Sequence, residues 1–439
     1  MTHLLTNVVS FAFALGVIIF VHESGHLLVA KAFGVKVLTF SLGFGKSLWS
    51  VTRGETEYRI SALPLGGYVR LSGENAEETT GDPRDFQSKP RWQRILVYLA
   101  GPAMNVVLAI TLFAVLFMVG IAVPNIIAIP AVVGTVEPGS SAAAAGIVRG
   151  DRILSVKGKP VANWEDLGFE LLASPDRPVP LVLERAGKTF KAVVTPRRIE
   201  GEEVGDGAGL FPSIFPQITQ VTPGSPAEAA GFATADEIRA VDGRPISGGD
   251  DFVRAIQERG GKPLAVQVLR EGVLHTLTVV PRHDPDKWVI GVGIGLYQRY
   301  SPGKAIVQSL RYNVEIVVRT FQMIGKIFTR DISAKSALSG PIGIATQTGE
   351  AARHSFKELL YLMGFLSISI AILNLMPIPI LDGGQIFILS IEGVIRRDLS
   401  LRFKEVITQV GFVMILLLML VVIWFDFSKL LPKGLLPGS

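Results

Sequence analysis

Cysteine is absent from the 439 residues. That removes disulfides, Cys-ligated zinc and cysteine nucleophiles at once. Histidine is scarce, with six copies at positions 3, 22, 26, 275, 283 and 354, so imidazole chemistry has few places to occur. Charge is also thin. Asp, Glu, Lys and Arg make up 18% of the chain, against about 25% in soluble domains. The basic excess, 43 Lys and Arg over 38 Asp and Glu, is only +5, and no run of five basic residues occurs. Such a balance argues against nucleic acid as a partner. What abounds is apolar: 49% of residues, with a mean hydropathy of +0.42. A disordered chain is excluded, and a wholly soluble one fits poorly.

A membrane-crossing helix needs about 20 mostly apolar residues. Four stretches meet this, near 4–30, 95–121, 359–377 and 406–425. The first has no Lys or Arg ahead of its apolar run and no A-x-A site after it, so it reads as a retained span rather than a cleaved signal. Basic residues in short loops set orientation. Residues 31–94 carry ten Lys and Arg, and 392–405 carry Arg396, Arg397, Arg402 and Lys404. Both segments are expected in the cytoplasm. Four spans then place both termini, and everything between spans two and three, outside.

That outer segment contains a repeat. Residues 134–161 read GTVEPGSSAAAAGIVRGDRILSVKGKPV, and 219–246 read TQVTPGSPAEAAGFATADEIRAVDGRPI. The offset is 85 throughout, too long for a solenoid, which points to two tandem domains. Each copy reads as strand, Pro-Gly turn, short Ala-rich helix, strand, Gly turn, helix and two closing strands. This plan resembles the PDZ domain in its bacterial arrangement. PDZ domains add a peptide strand to a sheet edge and capture a terminal carboxylate, so peptide C-termini are possible partners. The second copy departs from the Gly150-Asp151 pair with Ala235-Asp236. Gly207-Ala208-Gly209-Leu210-Phe211, ahead of the second copy, is a candidate carboxylate loop.

The chemistry lies in the spans. His22-Glu23-Ser24-Gly25-His26 is H-E-x-x-H. On a helix it places two imidazoles one turn apart on one face, able to share a zinc ion, with Glu23 beside them. Ionisable groups inside an apolar span are costly unless they have partners or a function. Catalytic zinc wants a third protein ligand. Asp426 falls at the outer end of span four, Glu392 at the start of a basic cytoplasmic loop, and His354 ahead of span three. Asp382 remains, in NLMPIPILDGGQIF near the inner leaflet. Pro377 and Pro379 remove backbone donors there, and broken helix at membrane depth must be buried in protein or line a wet cavity.

The combination of H-E-x-x-H in the first span, LDGG in a later one and two PDZ-like domains between resembles the site-2 protease family of intramembrane zinc metalloproteases. Further matches are GFGK at 43–46, LPLGGYVRL at 63–71, AGPAMN at 100–105, LSGPIGIA at 338–345 and N-L-M-P-I-P at 374–379. The resemblance implies that His22, His26 and Asp382 ligate one Zn2+ per chain and that Glu23 is the general base and acid. It gives Asn374 a part in substrate handling. It also makes SLGFGK with EYRISALPLGGYVRL a membrane-re-entrant β-hairpin. Alternation at Tyr58, Ile60 and Ala62 is compatible with a strand, and an open edge over 58–71 would pair with an extended substrate through Tyr58, Ile60, Gly66, Gly67 and Val69.

The expected fold is therefore a polytopic α-helical membrane protein. It would comprise a first transmembrane helix (1–31), a hairpin region (32–93), a second helix (94–127) and PDZ domains at 128–200 and 207–283. A membrane-interfacial segment (300–340) follows, with Arg311, Arg319, Lys326 and Arg330 among apolar residues. A third transmembrane segment with LDGG (355–391) and a fourth helix (405–427) complete it. By resemblance the location is a bacterial inner membrane, with termini and PDZ domains periplasmic. The substrates would be single-pass membrane proteins already trimmed outside, the family's best-known case being an anti-sigma factor cut during envelope stress. Two rival readings remain, a membrane-anchored PDZ adaptor with an inert HESGH and a metal transporter. Transporters usually repeat their helices, whereas the repeat here is soluble.

Overall fold

A computed structural model describes residues 2–74, 79–123, 131–199, 204–212, 217–246, 248–285, 287–329 and 332–430. Arg330 and the tail from 431 lie outside them. In chain order the elements begin with α1 (Thr2–Ala32), β1 (Val37–Arg53), β2 (Thr56–Leu71), α2 (Arg91–Val119), β3 (Ile121–Val123), β4 (Val133–Val136), α3 (Ser141–Ala144), β5 (Arg152–Val156), β6 (Lys159–Pro160), α4 (Trp164–Leu172), β7 (Val179–Arg185), β8 (Lys188–Val194) and β9 (Leu210–Pro212). There follow β10 (Gln217–Val221), α5 (Pro226–Ala229), β11 (Glu237–Val241), β12 (Arg244–Pro245), α6 (Gly249–Arg259), β13 (Leu264–Arg270), β14 (Val273–Val279), β15 (Arg282–Asp284), β16 (Lys287–Val289) and β17 (Val292–Gln298). The helices α7 (Pro302–Phe328), α8 (Ala334–Ala337), α9 (Pro341–His354), α10 (Phe356–Leu375), α11 (Asp382–Ile395) and α12 (Leu401–Leu430) close the chain. Contacts divide it into two units. One is Met1–Met118, Ser301–Ile324 and Leu338–Ser439; the other is Val119–Tyr300 and Gly325–Ala337.

The first unit is helical apart from the β1–β2 hairpin. Among the described residues α1, α2, α10 and α12 are long and apolar enough to cross a membrane. Their apolar side chains do not all turn inward: Val410, Leu417 and Leu420 of α12 are more than half exposed. Outward apolar surface of this kind is what hydrocarbon, not water, would cover. Where helices meet, small residues admit large ones. Gly364 of α10 faces the Phe113 ring of α2, and a Cβ there would stand 2.9 Å from it. Phe113 sits edge-on to Tyr312 of α7, with centroids 4.9 Å apart, and to Tyr361 of α10 at 5.6 Å. The two tyrosine hydroxyls share a hydrogen bond. The interfacial segment expected over 300–340 begins with α7, which buries Ala305, Ser309, Tyr312, Asn313 and Ile316 along one stripe. That spacing is helical.

One helix, α9, had no place among the segments expected from sequence. Pro341 stands in its first turn and Arg353 and His354 in its last, which are ordinary start and stop signals. Its free N–H groups are taken by Asp426. The carboxylate accepts from Gly340 at 2.9 Å, Ile342 at 3.0 Å and Gly343 at 2.9 Å. A Cβ at Gly340 would fall 2.6 Å from that carboxylate.

The second unit holds the repeat as two modules. In the first, the sheet order is β6-β5-β7-β8, with β4 paired to β9. Ile153, Leu167, Leu171, Leu181 and Leu183 form its core. In the second, the order is β14-β13-β11-β10-β17, with β12 beside β11; Ile218, Ile238, Phe252, Val266 and Val268 fill it. The 85-residue offset carries over to side-chain bonding. Arg185 clasps Asp151 with donors at 2.6 and 2.7 Å, and Arg270 clasps Asp236 at 2.6 and 2.8 Å. Ser140 and Ser225 cap α3 and α5 alike.

The module boundaries differ from the expected 128–200 and 207–283. Residues 207–212 close the first module: β9 pairs with β4, and Ala208 and Leu210 join the first core. The corresponding piece of the second module is 289–298, where β17 pairs with β10. Each module thus ends on a strand that returns beside its opening one. The candidate carboxylate loop at 207–211 accordingly belongs to the first module. Ahead of the repeat, β3 adds to β17 through Val123–Leu296, Ala122–Tyr297 and Ile121–Gln298.

Candidate active site

The site starts from helical spacing. His22 and His26 lie one turn apart on α1, each 9% exposed, with their Nε2 atoms 3.2 Å apart. What aims both rings is the neighbouring α2. The Nδ1–H of His26 donates to the carbonyl of Val97 at 2.8 Å. The Nδ1 of His22 lies 3.2 Å from Nδ2 of the Asn105 side-chain amide. Close approach of the two helices depends on glycine. A Cβ at Gly25 would strike the Ala100 carbonyl, and one at Gly101 would come within 2.7 Å of His22 Nε2.

Asp382 arrives from the other side. The break between α10 and α11 spans 376–381 and contains Pro377 and Pro379, and Asp382 is the first residue of α11, where the positive end of a helix favours a carboxylate. Gly383 and Gly384 let this turn press onto the break: a Cβ on either would collide with the carbonyl of Leu375 or of Ile378. Gln385 ties the turn down by donating to the Pro379 carbonyl at 2.7 Å. The result sets Asp382 Oδ2 3.2 Å from His22 Nε2 and Oδ1 3.6 Å from His26 Nε2.

Among the described residues these three form a group whose ligating atoms all lie within 4.8 Å of one another. Zinc takes nitrogen and oxygen at about 2.0–2.2 Å in a tetrahedron, which separates ligand atoms by roughly 3.3 Å. The spacings of 3.2, 3.2 and 3.6 Å fit that ion. Glu23 stands beside the group, half-buried, its Cγ 3.0 Å from where a Cβ on Gly67 would be.

Gly67 belongs to the hairpin, whose pairing differs from the single open edge expected over 58–71. The β1 residues Thr39–Leu42 are flanked on both sides. They pair with 67–70 through Phe40–Val69, Ser41–Tyr68 and Leu42–Gly67, and with 57–60 through Phe40–Tyr58, Ser41–Arg59 and Leu42–Ile60. The tip residues 49–53 then cover 56–60. The hairpin curls onto itself at Gly43 and Gly45, both at positive φ; a Cβ on Gly43 would lie 2.7 Å from the Leu63 carbonyl. Tyr58 and Ile60 therefore occupy an interior strand with no free main-chain edge, while Gly67, Tyr68 and Val69 form an outer one. Gly66 begins that outer segment beside the Phe44 ring.

Asn374 sits in the last turn of α10, partly exposed, eight residues before Asp382. The carboxylates set aside as ligands have other partners. Glu392 does not begin a loop: it is fully buried in α11, 2.6 Å from Lys404, and accepts the Leu399 N–H at 2.9 Å. The helical period runs on through the charge. Asp426 caps α9, and His354 is exposed, 4.0 Å from Glu358. Sequence reasoning matched AGPAMN at 100–105 to the family but gave Gly101 and Asn105 no role, and it did not single out Val97. The signal was the run AGPAMN, where small residues and an amide interrupt an apolar span.

A model of peptidase family M50 matches residues 10–418. The chain belongs to that family, and is a zinc metalloendopeptidase of the site-2 type. The Regulator of sigma-E protease RseP of Salmonella typhimurium is 32% identical over 459 residues, spanning 98% of this chain and all of that protein. The RseP of Escherichia coli is 33% identical over 456 residues with the same coverage. A putative zinc metalloprotease of Vibrio cholerae is 32% identical over 464 residues, again covering 98% of this chain and 100% of its own.

Proposed function

We propose that His22, His26 and Asp382 hold one zinc ion and that Glu23 is the general base and acid in cleaving single-pass membrane proteins within or near their spans. The observation that carries this reading is the convergence, at zinc-ligand spacing, of two Nε2 atoms from the apolar helix α1 and one carboxylate from the start of α11. When bound there, zinc acts as a Lewis acid that polarises the scissile carbonyl and makes water easier to deprotonate. Glu23 takes the proton from the attacking water and returns it to the leaving amine.

A transmembrane helix hides its carbonyls in internal hydrogen bonds, so the substrate must unwind. The outer segment 66–70, beside Glu23, supplies strand partners for the opened chain. Asn374, at the end of α10 ahead of the break, handles the same segment. The two modules are PDZ domains. Placed outside the membrane by the loop-charge argument, they screen substrates by size or sense trimmed ends. The similarity to RseP supports a place in the inner membrane and a part in sigma-E regulation; the loop charges favour periplasmic termini and modules, and the substrate we propose is an anti-sigma factor.

The test is cleavage of a tagged single-pass substrate by purified wild type and Glu23→Gln. The variant should keep its zinc and lose about 10²–10⁴-fold in turnover, the usual share of a general base. Turnover near wild type sinks the assignment.

A further inference from the structure

Two imidazoles can present Nε2 to a metal only if each carries its proton on Nδ1. For His26 the Val97 carbonyl settles this, since a carbonyl only accepts, and it lies 2.8 Å from Nδ1. For His22 the partner is Asn105, whose amide offers either a donor or an acceptor. Asn105 is fully buried, and its Oδ1 has no hydrogen-bond partner. Its main-chain carbonyl is held by the Ser367 hydroxyl at 2.8 Å, which fixes the backbone from which the side chain reaches the ring.

The two faces of a carboxamide have nearly the same shape, and the network decides which way it points. With Nδ2 toward the ring, the amide donates to Nδ1 and drives the ring proton to Nε2. That blocks the lone pair 3.2 Å from Asp382 Oδ2. With Oδ1 toward the ring, the amide accepts from Nδ1–H and frees Nε2. The structure sets Nδ2 3.2 Å from the ring Nδ1 and leaves Oδ1 without a partner, so turning the amide over gives that oxygen the ring N–H as its donor.

We infer that Asn105 is a positioning residue that selects the Nδ1–H tautomer of His22 by accepting its proton through Oδ1, so that span two orients both imidazoles toward the metal. This rests on the ligand set proposed above. Partners of metal-ligating histidines characteristically fix tautomer and ring orientation, and their loss costs about 10–100-fold in metal affinity.

The experiment uses the full chain in detergent. Zinc dissociation is followed by chelator competition for wild type, Asn105→Asp and Asn105→Leu. A carboxylate can only accept, so Asn105→Asp should hold zinc within about threefold of wild type. Asn105→Leu, of similar branched shape with no acceptor, should bind about 10–100-fold more weakly. Wild-type affinity in the Leu variant, or an Asp variant as weak as Leu, overturns the inference. Because a buried substitution can disturb folding, a second measurement needs no variant. Nitrogen-15 histidine spectra of zinc-loaded wild type should show His22 protonated at Nδ1, with Nε2 as the bound nitrogen. Protonation at Nε2 overturns the inference as well. A wild type that binds no zinc brings down the ligand set itself, a different result from zinc bound without dependence on Asn105.

Discussion

Buried carboxylates in the two units keep different company. In the repeat, Asp151 and Asp236 are each clasped by an arginine fork and by a main-chain N–H, from Val148 at 2.9 Å and Ala233 at 2.8 Å. In the helical unit Asp426 is met by three N–H groups and Glu392 by Lys404 and Leu399. All four face permanent donors, so each is spent on structure. Asp382, only partly buried, differs from these four in facing two imidazole nitrogens that can themselves act as ligands. A buried carboxylate thus declares its role by its partners: a cation or amide closes the account, whereas neutral ligand atoms leave room for an ion.

The widest gap should open between Asp382→Asn and Glu392→Gln. The first removes a ligand oxygen's charge and should lower zinc affinity by at least about 100-fold, taking turnover with it, since even an outer partner is worth about 10–100-fold. The second should keep zinc stoichiometry and lose stability of about 1–3 kcal/mol from its broken pairing. Metal analysis of the two purified variants decides; equal zinc in both removes Asp382 from the ligand set.

Next in size, Asp151→Ala and Asp236→Ala should each loosen their own module by about 2–4 kcal/mol, the loss of charged hydrogen bonds and an orphaned N–H. Hydrogen exchange in the full-length protein would show opening confined to the altered module, with zinc unchanged. Acid should act in the same direction at Asp151. Burial pushes its carboxyl up, but the Arg185 guanidinium and the Val148 N–H outweigh this and hold it below the usual carboxylate range. A group depressed on folding stabilises above its unfolded value, and that share vanishes as pH falls through the folded one. First-module protection that is flat from neutrality to below the carboxylate range would contradict this.

Smaller again, Asp426→Ala should cost about 1–2 kcal/mol, the usual worth of a helix N-cap. Faster exchange in the first turn of α9, with the second turn little changed, is the expected signature.

What could be read beforehand follows the same division. H-E-x-x-H and LDGG stood out because a zinc site would demand fixed residue types and because charge inside an apolar span is costly, and the structure brings His22, His26 and Asp382 together. Asn105 was not, since an amide in a span acquires meaning only when α2 sets it against His22. The curl of the hairpin was hidden too. Alternation marks 58–71 as strand, but nothing local says that Phe40 will pair with both Val69 and Tyr58. The module boundary slipped because the closing strand is recruited from beyond the repeated stretch. Glu392 was misplaced because a cluster of charges resembles a loop until Lys404 is seen to neutralise it.

The finest distinction lies between the modules themselves. Gly150 and Ala235 occupy the same turn, with φ of 89° and 73°. Their amides donate to equivalent carbonyls, Val133 at 2.8 Å and Ile218 at 2.7 Å. The left-handed region costs a residue with Cβ about 1–2 kcal/mol, while glycine gives back about 0.5–1 kcal/mol in chain entropy. Ala235→Gly should therefore stabilise the second module by about 0.5–1 kcal/mol, and Gly150→Ala should weaken the first by a similar amount. A Cβ at Gly150 meets nothing within 4 Å, so that loss would be backbone strain with no steric part. Exchange rates of the slowest amides in each module provide the measurement. Opposite signs for the two substitutions make the alanine turn the weaker of two otherwise matched ones. Destabilisation by both means that Ala235 is accommodated by contacts its glycine counterpart lacks, and strain is not what separates the modules.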